Sequence, residues 1–207
     1  MEEDFEMEEC AEVAEPHSTE ADELVDGSFI KVSGKGNVKA VAGKIAHSTR
    51  EGDPPAALCI GAESINLAVK AIAISRTYLA ADQWDLTFQP AFRDADRSKK
   101  SLALYMARTK VRAPISQIPD VEMPISSQSK PQVVAGALAA RIREQRSVCL
   151  TAIGIDAVSN AVLAIGNARL YLEQDRKDIR AMPAFVQVHK NGRDLNAVKL
   201  TLIVENI

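Results

Sequence analysis

Apolar residues recur with helical spacing in two stretches of the chain that lie 93 positions apart. An apolar residue at i, i+3, i+4 and i+7 predicts an amphipathic helix whose apolar stripe faces a core. In the first stretch the stripe consists of Ile65, Ala68, Val69 and Ile72. In the second stretch it consists of Val158, Ala161, Val162 and Ile165. The chain therefore predicts the same helix twice.

The residues around each striped helix predict the same further elements in the same order. A short strand comes first, and a first amphipathic helix, a second apolar strand and the striped helix follow. Two strands complete each stretch, at 85–91 with 102–106 and at 178–187 with 197–204. The order βαβαββ predicts an α+β fold in which two helices pack on one face of a four-stranded sheet.

The two stretches are copies of one unit. Residues 32–92 align with residues 125–185 without a gap, and about a third of the aligned positions are identical. The first helix reads VAGKIA in one copy and VAGALA in the other. After Phe92 the alignment shifts, so we expect the hairpin connection to be about three residues longer in the second copy. A period of this length is too long for a solenoid, which makes each copy a small domain.

These boundaries predict four parts of the chain. They are an acidic tail at 1–28, a first domain at 29–109, a Pro-containing linker at 110–123 and a second domain at 124–207. The linker shows no clear periodicity, and proline stiffens such a segment.

Charge is distributed unevenly along the chain. The formal net charge is −3, but residues 1–29 carry twelve acidic side chains and no Lys or Arg. The rest of the chain has 25 basic and 16 acidic side chains, a balance of +9. Such an asymmetry indicates polyanion binding or an interaction tail. We expect the tail to be disordered when free, and three roles stay open: competing with nucleic acid for the basic face, solubilising the protein, or docking onto a protein partner.

The cysteines and the hydropathy pattern indicate a cellular setting. Cys10, Cys59 and Cys149 are odd in number and form no C-x-x-C pair, which is typical of a reducing compartment. The chain shows no signal-peptide pattern and no apolar run near the roughly 18 residues that a spanning helix needs. We expect a cytoplasmic protein, with the flagellar axoneme or the nucleoid as alternatives.

The combined motifs resemble a known family. Three motifs occur in both copies in the same order: VAGKIA or VAGALA after a strand, Ile-Gly before a helix of the form AVxAIxxxRxY, and Pro-Ala-Phe after the next strand. This pattern resembles stage V sporulation protein S, over residues 29–108 and 124–205. The resemblance implies an Alba-like fold and a surface that binds DNA or RNA. Because Alba-like proteins typically act as dimers, it also implies that a tandem can form a pseudo-dimer within one chain, with a higher oligomer as a further option.

The resemblance places the nucleic-acid contacts in the loop after the first strand and at the start of the first helix. In the first copy this region carries Lys31, Lys35, Lys39 and Lys44, and in the second copy it carries Lys130. Lysine releases counterions from a phosphate backbone, and glycine and a helix N-terminus allow a phosphate to approach closely. A solvated, lysine-rich face is the alternative explanation.

The first hairpin is a second candidate region, because Alba-like proteins use this hairpin as an arm along a groove. Its basic residues are Arg93, Arg97, Lys99 and Lys100. Contacts of this kind position a protein on phosphates without reading sequence. An ordinary polar hairpin tip explains the same residues, and Asp94 and Asp96 favour that explanation.

Other patterns carry less chemistry. Gly34-Lys35-Gly36-Asn37 lacks the spacing of a nucleotide-binding loop. Arg76 and Arg169 are best explained as cations at helix C-termini. With aromatic residues at 4%, an RNA-recognition sheet of stacked aromatics has little support. His17, His47 and His189 are scattered, and we predict no catalytic residue, metal or cofactor.

The sequence thus favours a non-enzymatic, Alba-like protein that binds RNA or DNA through the phosphate contacts of basic loops. The alternative is a scaffold component of a larger intracellular assembly, such as a ribonucleoprotein or a flagellar axoneme. In that case the duplicated fold is a protein-docking unit, and partners bind through the acidic tail or the domain faces. A dense basic stripe typifies strong nucleic-acid binders, and a balance of +9 over 178 residues is modest.

Overall fold

The computed structural model describes residues 24–25, 29–94, 100–110, 118–190 and 192–207. The elements of the first half are β1 (Leu24–Val25), β2 (Phe29–Val32), α1 (Val38–Glu51), β3 (Ala56–Ile60), α2 (Ala62–Leu79), β4 (Trp84–Phe92) and β5 (Ser101–Lys110). Those of the second half are β6 (Val121–Ile125), α3 (Pro131–Arg143), β7 (Val148–Ala152), α4 (Ile155–Leu172), β8 (Lys177–Lys190) and β9 (Arg193–Asn206). From β2 onward each half has the order βαβαββ, which confirms the predicted α+β fold class.

The two halves share one sheet. Within the described residues its nine strands have the order β1-β2-β3-β5-β4-β8-β9-β7-β6, so the second half repeats the first in reverse around the β4–β8 junction. Strand β4 pairs with β8 in antiparallel fashion, with Phe88 opposite Ala181. The long helices α2 and α4 also contact each other across this junction. The copies therefore pack together within the chain.

Local sequence explains where the helices begin. The Asn37 side chain accepts hydrogen bonds from the backbone N–H groups of Lys39 and Ala40, at 3.0 and 3.2 Å, and so caps α1. Helix α3 begins at Pro131, a first-turn position where the missing N–H costs nothing. Gly61 and Gly154 precede α2 and α4 with φ values of 86° and 93°, a conformation that favours glycine.

The predicted apolar stripes form the core. Each of their residues is 1% exposed or less: Ile65, Ala68, Val69, Ile72, Val158, Ala161, Val162 and Ile165. On β2, Ile30 and Val32 are buried beneath the helices while Lys31 between them is exposed. The sheet thus has a face that the helices cover and a face that they do not.

Two segments differ from the sequence-based expectation. Strand β6 starts at Val121, inside the stretch assigned to the linker, because Pro124 hid the strand pattern. Proline is tolerated there because β6 is an edge strand, with β7 as its neighbour. In the second hairpin the additional residues lengthen β8 and β9 rather than the loop. Strand β8 extends to Lys190 and β9 begins at Arg193, directly after Gly192, which has a φ of 72°.

Candidate nucleic-acid interface

The loop between β2 and α1 packs against the start of α2. The N–H of Gly36 donates a hydrogen bond to the carbonyl of Ser33 at 3.1 Å, which closes the loop as a turn. A Cβ atom added to Gly34 would lie 2.5 Å from the Cβ of Glu63 and 3.3 Å from the N of Ser64. Only glycine allows this approach, so Gly34 fixes the loop, and with it the exposed Lys35, beside the first turn of α2.

The end of the first hairpin reaches the same place. The N–H of Gly61, which precedes α2, donates a hydrogen bond to the carbonyl of Lys100 at 3.1 Å. Lys100 adopts a φ of 48°, in the left-handed region. The fold thus brings Lys35 and Lys100, far apart in sequence, to one end of α2. The exposed Lys39 follows Lys35 in the first turn of α1.

The charges at this end are mainly, but not entirely, positive. Gly61 precedes α2 without a side-chain cap, so the first N–H groups of the helix keep their partial positive charge. Glu63 lies in the first turn, where it stabilises the helix and opposes an incoming polyanion. Phosphate binding there depends on the lysines exceeding this one acidic charge.

The structure does not bring all the predicted basic residues together. Lys31 lies on the helix-free face of β2, away from the buried Ile30 and Val32. Lys44 is half-buried further along α1. Arg97 and Lys99 lie outside the described residues.

Arg93 belongs to a different environment. Its N–H donates to the carbonyl of Ser101 at 3.1 Å, which continues the hairpin ladder past Phe92. The residue lines a cavity of about 570 Å³ at the boundary between the copies. Gly166, Arg169 and Lys177 of the second copy also line this cavity. Arg93 is thus exposed at the copy boundary rather than beside the β2–α1 loop.

The matching loop of the second copy is built differently. Asn160 donates hydrogen bonds to the carbonyls of Ser126 and Ser127, at 3.2 and 3.1 Å, and so holds the loop against α4. Lys130 is exposed immediately before α3. The positions equivalent to Lys35, Lys39 and Lys44 are Gln128, Gln132 and Ala137. The basic surface is therefore a property of the first copy.

Arg76 and Arg169 have a role that sequence reasoning missed. Each forms a two-point ion pair with an aspartate nine residues later, Asp85 or Asp178. Each also donates a hydrogen bond into the other copy: Arg76 to the carbonyl of Pro183, and Arg169 to that of Pro90. The identical Arg-to-Asp spacing in both copies was the available signal. These arginines connect the two copies in addition to placing a cation in the last turn of each helix.

Asp178 is held in its charged form by this arrangement. Burial by itself raises the pKa of Asp178. Hydrogen bonds from Arg169 and from the N–H of Ile179, with the charges of Arg169 and Arg180, outweigh that effect and lower the pKa below 3.8. Gln89 of the first copy also donates to this carboxylate, at 2.9 Å. The carboxylate is a junction between the copies.

Other kinds of site have little support. In the part of the chain that the structure describes, no cluster of three or more His, Cys, Asp or Glu side chains can hold a metal. No described helix is both long enough and apolar enough to cross a membrane.

The family model of stage V sporulation protein S matches residues 28–116 and 121–205, one match for each copy.

Proposed function

The chain belongs to the stage V sporulation protein S family, and we propose that it binds RNA or DNA through the basic surface that Lys35, Lys39 and Lys100 form beside the β2–α1 loop of the first copy. We call this the β2–α1 surface. The convergence of Lys35 and Lys100 at the N-terminal end of α2 is the observation that supports this most. Lysines beside a helix N-terminus attract phosphate without reading sequence. The Alba-like family is generally non-enzymatic, and we propose the same for this chain.

The difference between the copies also supports the proposal. Both copies form the same strands and helices, yet only the first carries lysine at the three equivalent positions, 35, 39 and 44. The fold itself therefore does not require these lysines. A binding role for the first copy gives a reason for the difference.

A salt series tests the proposal. The affinity of the full chain for a short RNA duplex and a short DNA duplex is measured across ionic strength. Lys35→Gln/Lys39→Gln gives the first copy the residues of the second, and Gln128→Lys/Gln132→Lys is the reciprocal variant. We expect the first variant to bind more weakly with a salt slope smaller by about one per lost phosphate contact, and the second to bind more tightly. No binding by the wild-type chain at low salt would overturn the proposal.

A scaffold role is the second candidate, and the second copy supplies its support. Val133 and Ile155, 68% and 45% exposed, replace Ala40 and Ala62 of the first copy. Exposed apolar residues near a helix start suit a protein contact better than a phosphate. If this candidate is right, Val133→Glu/Ile155→Glu removes specific co-purifying proteins while Lys35→Gln/Lys39→Gln retains them.

The location remains part of the proposal. We propose a cytoplasmic protein, with the axoneme and the nucleoid as alternatives. Microscopy of the tagged full-length chain distinguishes these three locations.

A further inference from the structure

The helix-free face of the first copy carries two aromatic side chains in one row. Phe29 on β2 lies opposite Ala56 on β3, and Ala56 lies opposite Tyr105 on β5. Residues paired in this way point to the same face of a sheet. The residues on either side of them, such as Ile30, Ala57 and Leu104, are fully buried on the helix-covered face. Phe29 and Tyr105 therefore share the open face.

The spacing and exposure of these residues suit a flat ligand. Neighbouring strands lie about 4.8 Å apart, so two strand steps separate the Phe29 and Tyr105 backbones by about 10 Å. The small side chain of Ala56 lies between them. Tyr105 is 48% exposed and Phe29 is half-buried. The row thus presents two aromatic rings, separated by the small side chain of Ala56.

A cation stands beside the aromatic row. Lys31 follows Phe29 by two residues on β2, so it lies on the same face, and its side chain is exposed. Lys31 pairs in register with Leu58, and Leu58 pairs with Ala103, so its own row is otherwise apolar. Beyond Lys31, β2 leads directly into the loop that carries Lys35. Positive charge therefore continues from the open face to the end of the sheet.

The same face of the second copy has different chemistry. The residues equivalent to Phe29, Ala56 and Tyr105 in the sheet register are Glu122, Cys149 and Thr201. Thr151 donates a hydrogen bond to the carboxylate of Glu122, which ties polar side chains to one another across this face. Because the second copy forms the same sheet without aromatic rings, the fold does not require them in the first.

We propose that the open face of the first copy binds single-stranded nucleic acid. Unpaired bases stack on Phe29 and Tyr105, and Lys31 contacts the phosphates as the strand continues toward Lys35. Stacking is available only to unpaired bases, whereas the β2–α1 surface accepts phosphates of any strand. Aromatic residues are few in this chain, but the strand register places two of them in one row. This inference rests on the proposed function and names the form of nucleic acid that it prefers.

The test compares strands with duplexes on the full-length protein. Fluorescence anisotropy measures the affinity for a single-stranded oligonucleotide and for the duplex of the same sequence. The variants are Tyr105→Ala, Tyr105→Phe, which keeps the ring, and Thr201→Ala, the matched control in the second copy. We expect Tyr105→Ala to weaken single-strand binding by about tenfold or more, and to change duplex binding by less than twofold. Tyr105→Phe and Thr201→Ala are expected to bind as the wild type does.

Two results would overturn the inference, and they separate it from the proposed function. If the wild type binds both ligands and Tyr105→Ala binds them equally well, the open face does not stack bases while the proposed function stands. That result would be expected if the open face binds a protein partner instead of nucleic acid. If the wild type binds neither ligand at low salt, the proposed function itself fails. Circular dichroism melting of each variant confirms that the sheet is intact.

Discussion

The guanidinium of Arg169, on α4 of the second copy, donates a hydrogen bond of 2.7 Å to the carbonyl of Pro90, on β4 of the first. The same side chain pairs with Asp178 on its own copy, and both charged groups are about four-fifths buried. We predict that Arg169→Ala lowers the free energy of unfolding by about 1–3 kcal/mol, because it removes two of the hydrogen bonds to a buried carboxylate and the hydrogen bond to the Pro90 carbonyl. Chemical denaturation measures this change.

The control for Arg169 is an ion pair on the protein surface. Arg141 and Glu144 form such a pair on α3, with 46% and 49% of their side chains exposed. Arg141→Ala should change the free energy of unfolding by less than about 0.5 kcal/mol, since an exposed pair on a helix contributes little. Equal losses in the two variants would contradict a special role for the contact between copies.

The lowered pKa of Asp178 predicts acid sensitivity at the junction between the copies. Its folded pKa lies below the ordinary value of 3.8, so ionised Asp178 stabilises the folded state above that pH. This contribution is lost as the pH falls below 3.8 and passes through the folded pKa. In Asp178→Asn, stability should be lower at neutral pH and should decline less steeply in acid. Urea melts across the acid range measure both slopes, and identical slopes would show that Asp178 carries no such linkage.

The close approach of Phe92 to Gly166 predicts an unusual response to alanine. A Cβ atom on Gly166 would lie 3.1 Å from Cε2 of Phe92, whereas one on Gly136 would meet nothing within 4 Å. Alanine favours a helix over glycine by about 0.5–1 kcal/mol. Gly136→Ala should therefore stabilise the protein, while Gly166→Ala should show no gain or a loss.

Replacing the aromatic ring of Phe92 with the smaller leucine side chain tests the cause of that loss. Phe92→Leu combined with Gly166→Ala should recover part of the helix-propensity gain, which a double-mutant cycle in thermal melts detects. Additive effects of Phe92→Leu and Gly166→Ala would mean that the ring does not oppose the new methyl group.

The sequence predicts elements better than it predicts neighbours. The helix that contains Ile65 and Ile72 can be predicted from the sequence because helical periodicity is a local property of the chain. The role of Arg76 cannot be predicted in this way, because its acceptor, the carbonyl of Pro183, comes close only when the two copies pack together. Likewise the alignment of Phe29 with Tyr105 depends on strand order and register. The strand that begins at Val121 was missed because Pro124 interrupts its pattern, and its pairing with β7 at the edge of the sheet is a property of the folded chain.

The acidic tail is predicted to compete for the basic surface of the first copy. Strand β1 is antiparallel to β2, with Leu24 opposite Ile30 and Val25 opposite Phe29, so Leu24 is the residue of β1 nearer the β2–α1 loop. The residues joined to Leu24 at 1–23 are rich in Asp and Glu and contain no Lys or Arg. Removing residues 1–23 should tighten binding to nucleic acid, and the gain should shrink as salt screens the charges. A full-length variant with Gln and Asn in place of the Glu and Asp of this segment should show the same gain, because charge rather than length is responsible. If the truncated chain binds no better than the full chain at low salt, the tail is a solubilising or docking segment instead.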